Sequence, residues 1–208
     1  MVIAAVASMG ATCDAQTPLF RNADAPMHDR IMDLLSRMTI EEKVSMMTHN
    51  APAIPRLGID KFYIGNEALH GVVRPGKFTV FPQAIALSAT WNPALIQQVT
   101  TAISDEARGK WNFYDLGKRQ HDGSSDLLCF WSPTINMARD PRWGRTPETY
   151  GEDPFLTGSI ACGFIKGLQG NDSRYIKCIA TLKHFAANNE EHNRASCNAV
   201  IGERDLLE

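Results

Sequence analysis

The chain has 208 residues, 44% of them hydrophobic, which is enough for one sizeable core and marginal for two, so one domain is the default expectation. A formal net charge of -2, with no basic run interleaved with aromatics, excludes a global field for nucleic acid or an anionic membrane. No stretch reaches the ~18 consecutive apolar residues of a membrane span, and neutral partners are favoured.

The opening MVIAAVASMGATCDAQTP is apolar and rich in small residues but lacks Lys or Arg ahead of the apolar run. Residues 1–15 read as a signal peptide without its basic beginning, cleaved after Ala15, which predicts a secreted or periplasmic protein. A lipid-bearing Cys13 fits less well, because Gly10, Ala11 and Thr12 supply no aliphatic residue before it; a frayed cytosolic terminus is the bland alternative. The five cysteines, 13, 129, 162, 178 and 197, are odd in number and lack a CxxC pair. They indicate neither a disulfide framework nor a zinc ribbon, and Cys129, Cys162 and Cys178 read as buried thiols.

From Pro26 the spacing is helical, with Ile31, Leu34, Leu35 and Met38 on one face, and the next helix opens with Thr39 and Glu42 in capping-box spacing. Residues 61–64 read as a strand ending at GNEALHG. Asn92 and Pro93 start a helix whose buried stripe is Leu95, Ile96, Val99 and Ile103. Residues 127–131 form a short apolar strand closed by Ser132 and Pro133, before the polar excursion NMARDPRWGRTPETYGED. Asp153 and Pro154 then begin a helix with Leu156, Ile160, Phe164, Ile165 and Leu168 on one side, while Gly158, Gly163 and Gly167 are spaced for close packing against a sheet. Residues 175–182 make the third strand.

Strands alternating with helices predict an α/β fold of parallel βα units, either an open doubly wound sheet or a (β/α) barrel. No GxGxxG and no Walker sequence occurs, whereas each strand is followed by a charged loop: NEALHG, ARDPRWGRTPE and KHFAANNEEHN. In a barrel these loops share one end, gathering Glu67, Arg139, Asp140, Arg142, Arg145, Glu148, Lys183, His184, Glu190 and Glu191 around one pocket. Such donors and acceptors, with tryptophans nearby, suit a polyhydroxylated, uncharged substrate. The bland readings are a solvated Lys183, a structural His184 beside a core Phe185, and packing roles for Trp91 and Trp143.

At LLSRMTIEEKVSMM, GNEALHGV, FPQAIALSATWNP, SPTINMARDPRWGRTPETYGEDPFL and LKHFAANNEEHNR, the chain strongly resembles the N-terminal domain of glycoside hydrolase family 3, in its β-xylosidase and β-glucosidase branch. The resemblance implies that residues 26–208 are the N-terminal part of a (β/α)8 barrel, about its first three βα units, with the remainder of the chain missing. It implies hydrolysis of terminal non-reducing β-linked sugars with retention, through a nucleophile and an acid/base carboxyl about 5 to 5.5 Å apart. By motif position, Glu67 should accept from sugar hydroxyls, and Arg145, Lys183 and His184 should donate to them. Arg139, Glu148 and Glu191 should orient those groups, and Arg142 should be structural.

The family nucleophile is an aspartate in a Ser-Asp motif after a later strand. Ser125-Asp126 precedes a strand instead, so neither catalytic carboxyl is expected in this chain, which alone should be inactive. No metal or organic cofactor is called for by the residues present; the implied partner is an oligosaccharide or glycoside. Many relatives carry Asp where this chain has Glu67, whose extra methylene extends into the space of a hexose hydroxymethyl group, implying a preference for xylose. Leu182 stands where relatives commonly carry Pro. A catalytically inactive carbohydrate-binding module of the same fold is the alternative, and a Schiff-base chemistry at Lys183 leaves the other motifs unexplained.

Overall fold

The computed structural model describes residues 17–113 and 128–207. Residues 1–15, read above as a signal peptide, with Cys13, His121, the Ser125-Asp126 pair and Leu127 lie outside the described residues. The chain divides into two compact units, Met1–Ser45 and Met46–Glu208.

In the first unit a 3-10 turn, Leu19–Arg21, is followed by α1 (Met27–Arg37) and α2 (Ile40–Ser45). Asp33 ties turn to helix: its Oδ2 accepts from Phe20 N at 3.0 Å, and Arg37, one turn on, donates to both carboxylate oxygens. The capping box forms as spaced, with Thr39 N donating to Glu42 Oε2 at 2.9 Å and Glu42 N to Thr39 Oγ1 at 3.2 Å. The apolar face is less covered than its periodicity predicts. Met38 is buried, but Ile31 and Leu35 are exposed, because two short helices and a turn present little surface to cover them.

The second unit opens with β1 (Asn50–Ala51) and β2 (Phe62–Tyr63), paired antiparallel with Asn50 opposite Tyr63. The strand expected at 61–64 is therefore real but belongs to this ribbon and not to the parallel set. Parallel pairing begins three residues later, where Asn66 bridges Phe130. After α3 (Ala84–Ser88) and α4 (Pro93–Trp111) come β3 (Cys129–Phe130), α5 (Pro154–Gln169), β4 (Ile179–Ala180) and α6 (Glu203–Leu207). β3 and β4 are parallel, Cys129 opposite Ile179, and the pairing extends to Thr134 opposite Lys183.

Three parallel segments thus lie side by side in the order Asn66, β3, β4. Trp131 N donates to Asn66 O at 2.8 Å, and Thr181 N to Phe130 O at 2.9 Å. The described residues form no closed barrel. Phe130, fully buried at the centre of the three, shares one core with Leu69, Ile96, Ile103, Ile160, Phe164 and Leu168. Each such side chain contributes roughly 1.5–3 kcal/mol by leaving water.

α4 and α5 begin alike: Asn92 Oδ1 accepts from Leu95 N at 3.0 Å and Asp153 Oδ1 from Leu156 N at 2.6 Å, each with Pro next in line. Their buried stripes, Ile96, Thr100, Ile103, Ser104 and Ala107 against Ile160, Gly163, Phe164, Gly167 and Leu168, carry the principal contact between helices. Gly163 and Gly167 accordingly pack against a helix, not the expected sheet. A Cβ at Gly163 would strike the carbonyl of Pro93, and one at Gly167 would strike Thr100 Oγ1 and the carbonyl of Gln97. Gly158 faces open space and takes no part. Cys129 and Cys178 are buried as expected, and burial raises both thiols, Cys178 to about 11. Cys162 is exposed, because it falls on the outer face of α5.

Candidate active site

The polar groups lie just past the C-terminal ends of the three parallel segments, where successive strands deliver side chains to a shared end of the sheet. Glu67 follows Asn66, Ser132 and Asn136 follow β3, and Lys183 and His184 follow β4. The backbone beneath them is continuous: Lys183 N donates to Pro133 O at 3.2 Å and Ile135 N to Lys183 O at 2.7 Å. The Ser132–Pro133 and Lys183–His184 peptide bonds are cis.

Glu67 is held at both oxygens. Oε1 accepts from Ala68 N at 3.0 Å, Leu69 N at 3.1 Å and the hydroxyl of Ser132, while Oε2 accepts from Lys183 Nζ at 2.5 Å. Ser132 is itself fully buried and also accepts from Ala68 N at 3.2 Å. Lys183 is 15% exposed and Glu67 34%, so the pair is shielded on the lysine side and open on the carboxylate side. Of three N–H groups on Lys183, one serves Glu67 and two are not engaged among the described residues.

Arg145 stands at the head of a 3-10 turn, Thr146–Glu148, which returns Glu148 to face it. The pair is bidentate, Nε to Oε1 at 2.9 Å and Nη2 to Oε2 at 2.7 Å. Nη1 donates to His184 Nε2 at 3.1 Å and lies 3.7 Å from Glu191 Oε1. Arg194 donates to the other Glu191 oxygen at 3.1 Å. Among the described residues, three of five guanidinium N–H groups are thereby engaged, leaving two.

These two groups form one electrostatic cluster. Arg145 holds the Glu148 carboxyl below its usual range, with Lys183 and His184 acting in the same direction, and Glu148 in turn raises Arg145. Burial, followed by Arg145 and Lys183, pushes His184 below its ordinary value of 6.5, so it is the neutral imidazole near neutral pH. Glu67, Glu148 and Glu191 face Lys183, Arg145 and Arg194, leaving the cluster without net charge. Such a site suits a neutral, hydroxyl-rich ligand better than an anion or a cation.

The depressed imidazole has a consequence for stability. A histidine titrating lower folded than unfolded contributes fully above pH 6.5, and its contribution falls away as pH drops below that value. The lowered Glu148 adds to this acid-side loss further down, below its usual 4.5. Urea unfolding at about pH 7.5 and about pH 5.5 is expected to show lower stability at the acid value, with a smaller drop in His184→Gln.

The other predicted residues sit differently. Arg139 is exposed and donates to Asn189 Oδ1 at 2.9 Å, outside the Glu67–Arg145 cluster. Arg142 forms an exposed pair with Asp140 and holds that carboxyl down to about 2. Glu190 is exposed and accepts from His192 N at 2.7 Å. With Asp140, Arg142, Trp143 and Glu191 it lines a neighbouring cleft of about 360 Å³. Trp143 is buried, whereas Trp91 is exposed and does not pack as expected. Phe185 is wholly exposed, so His184 does not rest on it as a core residue.

Sequence reasoning missed Ser132 and Asn136, which contact Glu67 and His184 respectively. The available signal was the alternation of polar residues in SPTIN, where Ser132, Thr134 and Asn136 are all buried.

Residues 33–205 match the Glycosyl hydrolase family 3 N terminal domain. Among curated relatives, the xylan 1,4-beta-xylosidase of Xylanibacter ruminicola is 42% identical over 205 residues, covering 96% of this chain and 24% of that protein. Beta-D-xylosidase 1 of Arabidopsis thaliana is 38% identical over 206 residues, covering 92% of this chain and 25% of its own length. The chain thus spans about a quarter of the length of the curated relatives it matches.

Among solved structures, a family 3 exo-beta-xylosidase (XlnD) in complex with a xylobiose aziridine probe superposes with a TM-score of 0.65 at 35% identity, covering 85% of this chain and 23% of that one. Beta-glucosidase 3B from Thermotoga neapolitana in complex with glucose gives 0.60 at 28% identity, covering 78% and 24%. On the family match over 33–205, the chain belongs to glycosyl hydrolase family 3, whose N-terminal domain it carries.

Proposed function

We propose that this chain supplies the pocket for the terminal, non-reducing sugar of an exo-acting, retaining β-glycosidase, with β-xylose preferred over β-glucose. The three parallel segments are the first strands of a (β/α)8 barrel, and the reacting carboxyls come from elsewhere in the full-length protein. One observation carries the reading: Glu67, Lys183, His184 and Arg145 converge in a single uncharged cluster at the strand ends. Among the described residues, Glu67 Oε2 keeps lone-pair capacity to accept a sugar hydroxyl, while Lys183 and Arg145 keep N–H groups to donate. The relatives named as xylosidases support the substrate class.

Glu67 sets the choice of sugar. Its Oε1 is clamped by two backbone N–H groups and Ser132, so the carboxylate cannot withdraw to admit a hydroxymethyl group without breaking them. The full-length protein should show a higher kcat/KM on an aryl β-xyloside than on the matching β-glucoside, and Glu67→Asp should narrow that ratio by roughly tenfold. A parent that prefers the glucoside would sink the assignment. The 208-residue chain alone should turn over neither substrate, and a full-length protein that binds xylose without hydrolysis would point to the inactive binding module instead.

A further inference from the structure

Asn136 is buried on the segment that leaves β3. Its amide orientation follows from its partners: Nδ2 donates to Asn188 O at 2.7 Å, so Oδ1 is the acceptor for His184 N at 2.9 Å and for the ring Nδ1 at 3.0 Å. An acceptor facing Nδ1 requires the ring proton there, and a neutral imidazole then presents a bare lone pair at Nε2. That lone pair is what Arg145 Nη1 addresses at 3.1 Å. Both ring nitrogens are thus partnered within the protein, and His184 in this arrangement orients Arg145.

We propose that Asn136 is a positioning residue of the sugar pocket: it fixes the tautomer of His184, and through it the direction in which Arg145 presents its remaining N–H groups. The proposal rests on the sugar-pocket reading above. In the opposite tautomer Nε2–H would oppose Nη1–H, donor against donor, and the guanidinium would be held from the Glu148 side alone. Asn136 also anchors the loop beyond His184 through Asn188 O, and Asn189 Nδ2 reinforces it by donating to Met137 O at 3.1 Å.

The test labels the full-length protein with 15N-histidine, identifies the His184 signals by their loss in His184→Gln, and follows turnover of an aryl β-xyloside in parallel. The parent should show a protonated Nδ1 and a bare Nε2. Asn136→Ala removes the acceptor at Nδ1 and leaves Arg145 Nη1 alone to disfavour the Nε2–H tautomer, which should gain population, and KM should rise about tenfold, the scale of one misdirected hydrogen bond from a charged group. Asn136→Asp keeps the acceptor, so it should retain the parent tautomer while raising the midpoint of His184. There the new carboxylate joins Glu148 and Glu191 against Arg145 and Lys183.

A parent ring protonated at Nε2 overturns the proposal, as does an unchanged tautomer in Asn136→Ala or a changed tautomer with unchanged KM. Should the alanine variant fail to fold, the parent and the aspartate variant decide. Failure of the pocket reading looks different: the tautomer is as expected, but the parent neither binds nor cleaves the xyloside.

Discussion

Replacing Lys183 with methionine in the full-length protein is expected to lower kcat/KM on an aryl β-xyloside about a hundredfold or more, with little change in the fold. Methionine preserves the length and apolar stem of the side chain and removes only the ammonium group. The Nζ hydrogens proposed to serve the sugar then disappear, and Glu67 Oε2 loses its partner at 2.5 Å. A hydrogen bond to a charged group is worth roughly 1.5–3 kcal/mol, and each 1.4 kcal/mol is tenfold, so the loss of one ligand bond and the disturbance of another reach that figure.

Arginine at 183 should rescue little, since a planar fork cannot take the place of a compact ammonium group behind Glu67. Glu67→Gln combined with Lys183→Met should cost less than the two changes summed, because they share one interaction. Activity within about threefold of the parent in Lys183→Met would remove the centre of the proposed pocket.

That prediction was within reach of the sequence, and the reason is geometric. A parallel βα unit sends every strand to the same end, so charged residues directly after apolar runs must meet, as Lys183 and Glu67 do across 116 positions. The helix starts at Asn92 and Asp153 were readable because capping chemistry is local. What escaped was information held only in three dimensions. Residues 61–64 have the composition of a strand, yet nothing in them tells an antiparallel ribbon from a parallel member. Ser132 looked like the end of β3, and its role depends on Glu67, 65 positions away. Phe185 looked like core beside His184 and stands wholly in solvent, since which side of a segment faces inward is set by pairing partners and not by the residue type.

The glycines of α5 give the second large effect, because the same substitution should act with opposite sign at two places nine residues apart. Gly167→Ala is expected to destabilise by roughly 1–3 kcal/mol, the usual cost of overpacking a tight contact. The new methyl would meet not only Thr100 Oγ1, which a rotation could move, but also the carbonyl of Gln97 and the amide of Thr101 at 2.9 Å, which belong to α4 itself. The helices must then separate, and with them goes the hydrogen bond from Ser104 Oγ to Gly167 O at 3.0 Å. Trimming Thr100 to alanine should therefore restore only part of the loss.

Gly158→Ala adds its methyl where no atom lies within 4 Å, on an exposed turn of the same helix, and should stabilise by roughly 0.5–1 kcal/mol through reduced freedom of the unfolded chain. Thermal melts should move in opposite directions, by about 2–4 °C per kcal/mol for a chain of this size. Equal shifts of the same sign would mean that α4 and α5 do not meet along the stripe of Gly163 and Gly167.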